Sequence, residues 1–556
     1  MVECLKLSNR AVKNLFKQKY AYLLQIYRRP EKLDSKFMKH HQPGRWLFLE
    51  PSFAKVLWIL AISMSAGLWG EVGAAPALAK KRFEWTPSLR QAYEAVIHLR
   101  FKEAAEILKV TREKDAGNLM QLHVENYLEF LQVYIDENKA DFRRLEQNKQ
   151  SRLRQIEQEG DPGSPYYLYL LADIRLQWAW ARIKFGEYPT AFLETNKAFQ
   201  LLTENSRKFP DFMPNKKDLG ILHALAGTIP EQYQWALQWL SSMEGTIQQG
   251  KQELQEVMAY SLRQDFIYEL ETCVYYAYLM LHLGSDLEEA WRAINESRLK
   301  PESNPLACFV MANLAMKSGR GEEAIDLLQR RPSGKEFHDF NLLDYLLGLA
   351  KLQRLDTDAD VHLLRFTANF KGLNFIKDAY QKLAWHSLAV RGNHSGYQKY
   401  IALAKEKGAA TTDSDKSAQA EAISGLLPAA DLLRARLLCD GGNYRRAHEI
   451  LEHKKASDYL SEKNKIELLY RKGRIANKLN RLAEALEWYR LAIEKGSSSP
   501  YYFACRAALE TGQIYEKQGK KKSALSAYEL CLSISPQEYR TGLHLQAKAG
   551  IKRLKS

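Results

Sequence analysis

The sequence predicts an all-α chain, an α-solenoid of antiparallel helix hairpins, on three observations. From Trp85 onward apolar residues recur at helical spacing, while the alternation of half-buried strands is scarce. Gly and Pro number only 30 and 17 in 556 residues, which argues against a loop-rich or fibrous chain. Short polar turns separate paired amphipathic runs, and the second run of each pair carries an alanine where the two helices would cross. With 46% hydrophobic and 26% charged residues, wholesale disorder is excluded.

The N-terminal segment reads as a leader. The chain carries 81 Lys+Arg against 66 Asp+Glu, a formal charge of +15, and residues 1–79 hold roughly +7 of it. The remaining excess is spread without a dense basic block, so nucleic-acid binding is not expected. Val56 to Gly70 is an uncharged apolar run, with Lys39, Arg45 and Lys55 upstream. Ala77 and Ala79 follow it at the two small-residue positions of a signal-peptidase site. The run is shorter than the ~20 apolar residues of a comfortable membrane span. Residues 38–79 are therefore expected to be a signal peptide cleaved after Ala79, and 1–37 a mis-called upstream extension. A membrane anchor through 56–70 is the alternative.

The first weak hairpin lies around Ala92, Ala104 and Leu108. Residues 137–159 are unusually charged and predict one long solvated helix. Further hairpins follow around Ala179, Ala191 and Ala198, then Ala290, then Ala312, Ala324 and Leu328. Breaks are expected at 159–165, 209–217, 299–305 and 408–420, where Pro, Gly and polar residues cluster. The organisation is N-terminal helical repeats over 80–210, divergent middle repeats over 211–407, a polar break at 408–420 and clean repeats over 421–556. All of it reads as one solenoid rather than as independent globular domains.

The C-terminal repeats carry the clearest pattern. Ala435, Ala447 and Leu451 mark one hairpin, and Gly473, Ala485, Tyr489 and Ala492 the next. In the last, small residues fall at Gly512, Ala524 and Cys531, aromatics at Tyr515 and Tyr528, and a proline at Pro536. This spacing resembles the tetratricopeptide repeat, a helix–turn–helix unit of about 34 residues. It departs from the pattern early in the first helix, where Ala508 replaces a large residue.

The search for chemistry returns no phosphate loop, nucleotide fingerprint, zinc-protease motif or nucleophile elbow. Six cysteines occur, five of them beyond the leader, with no CxxC and no Cys/His spacing for zinc. Dispersed in apolar helical patterns, they predict buried thiols, with at most one adventitious bridge. His386 sits in an apolar helical pattern and reads as a core histidine. Tyr166, Tyr167, Tyr169, Trp178, Trp180, Trp235 and Trp239 read mainly as helix-packing aromatics. No enzyme activity, cofactor or bound metal is expected.

The leader and the resemblance together imply an exported bacterial scaffold, periplasmic or envelope-associated, that holds a partner protein or extended peptide on its concave face. The resemblance also implies that Arg436, Tyr470, Arg474, Asn477, Lys478, Gln513 and Lys517 line that face. Their basic and aromatic character suits an acidic or carboxylate-bearing segment. The family's carboxylate clamp is not reproduced, because Tyr470 and Arg474 stand where Lys and Asn are expected. The alternative function is glycan capture, with the aromatic residues as stacking platforms.

Overall fold

A computed structural model describes residues 80–228, 243–283 and 286–555. The expected leader at 1–79 with its expected cleavage after Ala79, and Trp235 and Trp239, lie outside these residues. Among the described residues there are α-helices α1 (Pro87–Ile97), α2 (Phe101–Lys114), α3 (Met120–Asp136), α4 (Lys139–Glu159), α5 (Pro165–Lys184), α6 (Tyr188–Lys208), α7 (Met213–Ala226) and α8 (Ile247–Ser261). The middle holds α9 (Glu269–His282), α10 (Leu287–Asn295), α11 (Pro305–Lys317), α12 (Gly321–Gln329), α13 (Leu342–Arg354), α14 (Ala359–Asn369), α15 (Ile376–Ala389), α16 (His394–Glu406) and α17 (Asp413–Ser424). Then come α18 (Ala430–Asp440), α19 (Tyr444–Leu451), α20 (Glu462–Lys478), α21 (Leu482–Gly496), α22 (Phe503–Lys517), α23 (Lys521–Ser533) and α24 (Arg540–Lys555).

These helices pair in sequence into antiparallel hairpins, as α1 with α2, α5 with α6, α20 with α21 and α22 with α23. The first helix of each hairpin also touches the first helix of the next, from α1 through α3, α5 and onward to α22 and α24. The result is two layers, a first-helix layer and a second-helix layer, as expected of an all-α repeat solenoid.

Local sequence explains the helix ends. Ser164, Asn304 and Thr86 accept hydrogen bonds from the first-turn N–H groups of α5, α11 and α1, each followed by proline at the opening position. The turn inside several hairpins needs a left-handed residue, supplied by Gly186 before α6 and Gly519 before α23. In the second hairpin the same place is held by Glu137 at φ 51°, a non-glycine residue kept there by its own buried contacts.

The crossings are close because their residues are small. Ala92, Ala104, Ala179, Ala312, Ala324, Ala435, Ala447, Ala485 and Ala524 are fully buried. A Cβ added at Gly473 would lie 2.6 Å from the Tyr489 ring, and one at Gly512 2.5 Å from the Tyr528 ring. Each tyrosine therefore fills the space its glycine vacates.

The expected polar break at 408–420 is partly helical. Residues 413–424, which begin inside the polar break and run past its end, form α17, since Thr412 caps it and Ala418 is buried. Its Asp415 carboxylate turns inward to accept from the backbone N–H groups of Phe375 and Asp378, so a polar composition conceals a docked helix. One hydrophobic cluster runs from Phe83 to Leu314, on both sides of residue 210. The long charged segment does form a helix, α4, with Phe142, Leu145 and Leu153 on its buried face.

Candidate interaction face

Helices α18, α20 and α22 lie side by side in the first-helix layer. Their shared face carries Arg436 and Asp440, then Arg471, Arg474 and Asn477, then Arg506 and Glu510. The Arg474 guanidinium donates to Asp440 at 2.6 Å, linking α20 to α18. Arg436 lies 3.8 Å from the other Asp440 oxygen, and its guanidinium sits 4.6 Å above the Trp385 ring. On α22, Arg506 pairs with Glu510 at 2.8 Å, and Asn477 of α20 donates to the same carboxylate at 3.4 Å. Arg471 pairs with Glu467 at 2.8 Å and lies 5.4 Å from the Tyr470 ring centroid.

This network holds its acids ionised. Burial pushes the Asp440 carboxyl up, but the positive charges of Arg474, Arg436 and Arg471 outweigh it and hold the group below the usual range. Glu510 is governed in the same way by burial against the charges of Arg506 and Arg474. Arg436, Arg474 and Arg506 keep a quarter to a third of their side-chain surface exposed. The face is thus a partly desolvated row of paired guanidinium groups, where charge-assisted contacts are stronger than at an open surface.

Among the residues implied by the resemblance, Arg436, Arg474 and Asn477 share this face. Gln513 is half-buried on α22, and Lys478 and Lys517 are exposed at the C-terminal ends of α20 and α22. Tyr470 is different. It is 4% exposed, with Tyr489, Tyr502 and Phe503 all within 6.3 Å of its ring centre, so it packs α20 on α21 and α22 rather than presenting a stacking surface. The close approach of α22, whose Phe503 fills the space over the ring, is the physical reason.

Sequence reasoning did not single out Asp440, Arg471, Arg506 or Glu510. A signal was present: Arg436/Asp440, Glu467/Arg471 and Arg506/Glu510 are each acid–arginine pairs one helical turn apart on consecutive first helices. Helix α17 borders the same region, its Ser417 hydroxyl 2.9 Å from that of Tyr539, whose ring meets Tyr502 edge-on. On the segment between α17 and α18, Leu426 and Leu427 are exposed.

A second concentration of titratable groups is buried among α3, α5, α7 and α9, across the N-terminal and middle hairpins. Lys217 is fully buried, bonded to Glu271 and 3.0 Å from Asp218, with Asp173 at 3.8 Å. The rings of Tyr169, Tyr268 and Tyr275 surround its ammonium at 4.9 to 5.8 Å. Tyr93 donates to Glu271, and His123 lies 3.5 Å from Asp173. Three carboxyls therefore face one ammonium. Burial, with the neighbouring acids, raises Asp173 well above its ordinary value and Asp218 to about 6, despite the Lys217 charge. Burial lowers His123 to about 3.

Other residues noted in the sequence are absorbed by packing. His386 is 1% exposed, its Nδ1 3.7 Å from Asp360. Tyr169 and Trp178 are fully buried, and Tyr166, Tyr167 and Trp180 pack partly buried against the same core. No helix among the described residues is long and apolar enough to cross a membrane.

No curated protein matches the chain. Residues 466–494 and 506–538, which span most of α20–α21 and all but the first turn of α22 with α23, match the family described as Tetratricopeptide repeat. The sequence pattern, the paired helices and this match agree that the C-terminal hairpins are of the tetratricopeptide-repeat type.

Proposed function

We propose that the chain is an exported scaffold without catalytic activity that holds a partner protein through an extended acidic segment along the concave first-helix face of α18, α20 and α22. One observation carries this reading: arginines recur on three consecutive first helices, each partly exposed in a setting dry enough to strengthen its contacts. A partner carboxylate exchanging with Asp440 or Glu510 would gain a two-pronged guanidinium contact, and successive carboxylates would find successive arginines. Repeat scaffolds present such extended surfaces because each hairpin contributes one side-chain row.

The test uses a fluorescent glutamate-rich peptide and its glutamine-for-glutamate counterpart, titrated with the chain from residue 80 onward. The acidic peptide should bind more tightly, and added salt should weaken it. The double variant Arg436→Ala/Arg474→Ala should lose most of the difference. Equal binding of both peptides would defeat the reading. Export rests on the apolar run at 56–70 and the small residues before Lys80. N-terminal sequencing of the protein from its native host should begin at or near Lys80, and a product that retains 56–70 in membrane would install the anchor instead.

A further inference from the structure

The hairpin of α22 and α23 brings two thiols together. Its helices cross closely where Gly512 and Ala524 leave room for the Tyr528 ring. Cys505 precedes Gly512 by as many residues as Cys531 follows Ala524, so an antiparallel pairing sets the two cysteines opposite each other. Their sulfurs are 3.6 Å apart, both fully buried and both free. A disulfide needs the sulfurs at about 2.05 Å, a closure that small side-chain rotations supply when the helices are already this close. Cys273, Cys308 and Cys439 are also buried and free, but none of them lies in such a pair among the described residues.

We propose that Cys505 and Cys531 form an oxidation site, joined by a disulfide donor into one intramolecular bond that ties α22 to α23. The inference does not depend on what the arginine face binds. The Cys505 thiolate attacks one sulfur of the donor and expels its other half as a thiolate, giving a mixed disulfide on Cys505. Cys531 then loses its proton to solvent and attacks the Cys505 sulfur. The Sγ–Sγ bond forms, the second half of the donor leaves as a thiolate, and two protein thiols have been oxidised for one donor reduced to two thiols.

The surroundings favour this order. The hydrogen bond from Cys531 holds the Cys505 thiol below its ordinary value, against burial and with help from the charges of Arg506 and Arg540. The same contact, together with burial, raises Cys531. Access requires α24 to lift, since Leu543 and Ala547 lie in the same cluster as both cysteines. The Arg553–Glu516 pair that ties α24 to α22 is two-pronged, with both contacts at 2.9 Å, and it has to open when α24 lifts. Once formed, the bond would fix the first turn of α22 beside Arg506.

Full-length chain, reduced and desalted, is incubated with oxidised glutathione while folded, and a second portion is refolded from denaturant in a glutathione redox buffer. In either condition the intact mass should fall by two hydrogens. Digestion without reductant should yield a peptide linking Cys505 to Cys531, and reductant should abolish it. The Cys531→Ser variant should instead carry a glutathione adduct on Cys505. A parent chain lacking the linked peptide under both conditions, whether its thiols stay free, take glutathione singly or pair otherwise, would overturn the proposal.

Discussion

Arg474 on α20 and Asp440 on α18 are joined by a 2.6 Å ion pair across two neighbouring hairpins. Arg474 on the candidate face is therefore already occupied by a carboxylate of the chain itself. Under the proposed function an incoming acidic segment must compete with Asp440, and the binding energy available is the difference between two similar contacts.

The first expectation follows from that competition. Asp440→Asn keeps the shape and frees Arg474, so a glutamate-rich peptide should bind several-fold more tightly than to the parent. Arg474→Ala should weaken it by about tenfold or more, as truncation of a desolvated arginine contact commonly does. Fluorescence polarisation on both variants checks the pair, and a weakened Asp440→Asn would mean that Asp440 positions Arg474 rather than masking it.

Tyr470→Ala separates packing from recognition. The ring is enclosed by Tyr489, Tyr502 and Phe503 at 4% exposure, so its loss should cost about 3 kcal/mol of stability through the cavity left behind. Tyr470→Phe should restore nearly all of it. Urea denaturation followed by circular dichroism distinguishes this from a stacking role, in which stability would hold and only peptide binding would fall.

The sequence shows the hairpins most clearly where a glycine or alanine must stand at a crossing, as at Gly473, Ala485, Gly512 and Ala524. Helical amphipathicity and small residues are local properties, so they survive in a single chain without its neighbours. The burial of Tyr470 was not legible, because it depends on how near α22 comes to α20, and that distance lies in the relation between repeats. Helix α17 escaped for another reason: its polar side chains cap backbone groups around residue 375, a long-range use of residues that ordinarily mark turns. The Lys217 cluster is likewise assembled from α3, α5, α7 and α9, with no spacing in sequence to announce it.

That cluster gives a pH prediction with opposing signs. Asp218 has its pKa raised to about 6, so its share of stability is complete below the ordinary carboxyl value near 4 and is lost as pH rises through 6. His123, lowered to about 3, acts the other way: an unfolded histidine gains a proton below about 6.5, so its share is lost as pH falls. Asp218→Asn should stabilise the chain by on the order of 1–3 kcal/mol at pH above 7. It should also tilt stability further toward loss on acidification between about pH 6.5 and 4, since Asp173 is then the one raised carboxyl of the cluster left to oppose the histidine effect. Thermal melts of parent and variant across that range check both halves, and parallel curves would refute them.

Glu137 offers the sharpest test of how distant hairpins are held. It sits in the turn between α3 and α4, 1% exposed, and its carboxylate accepts from the backbone N–H groups of Leu373 and Asn374, more than 230 residues away. Lys184 donates to its other oxygen at 2.7 Å and lies 4.3 Å from the Tyr134 ring. Burial alone would raise the carboxyl, but the Lys184 charge and the donated hydrogen bonds win and hold it below its ordinary value. Its contribution is therefore present above the ordinary carboxyl range and is lost as pH falls through the lowered value. Glu137→Ala removes the acceptor and leaves an ammonium and two N–H groups without their partner, an expected loss of about 3 kcal/mol. Glu137→Gln keeps one acceptor oxygen, so it should retain part of that stability while losing the acid dependence. Hydrogen exchange supplies the local readout: the amides of Leu373 and Asn374 should lose protection in the alanine variant and keep some of it in the glutamine variant. If both amides exchange as in the parent, the contact does not hold the two turns together, whatever happens to global stability.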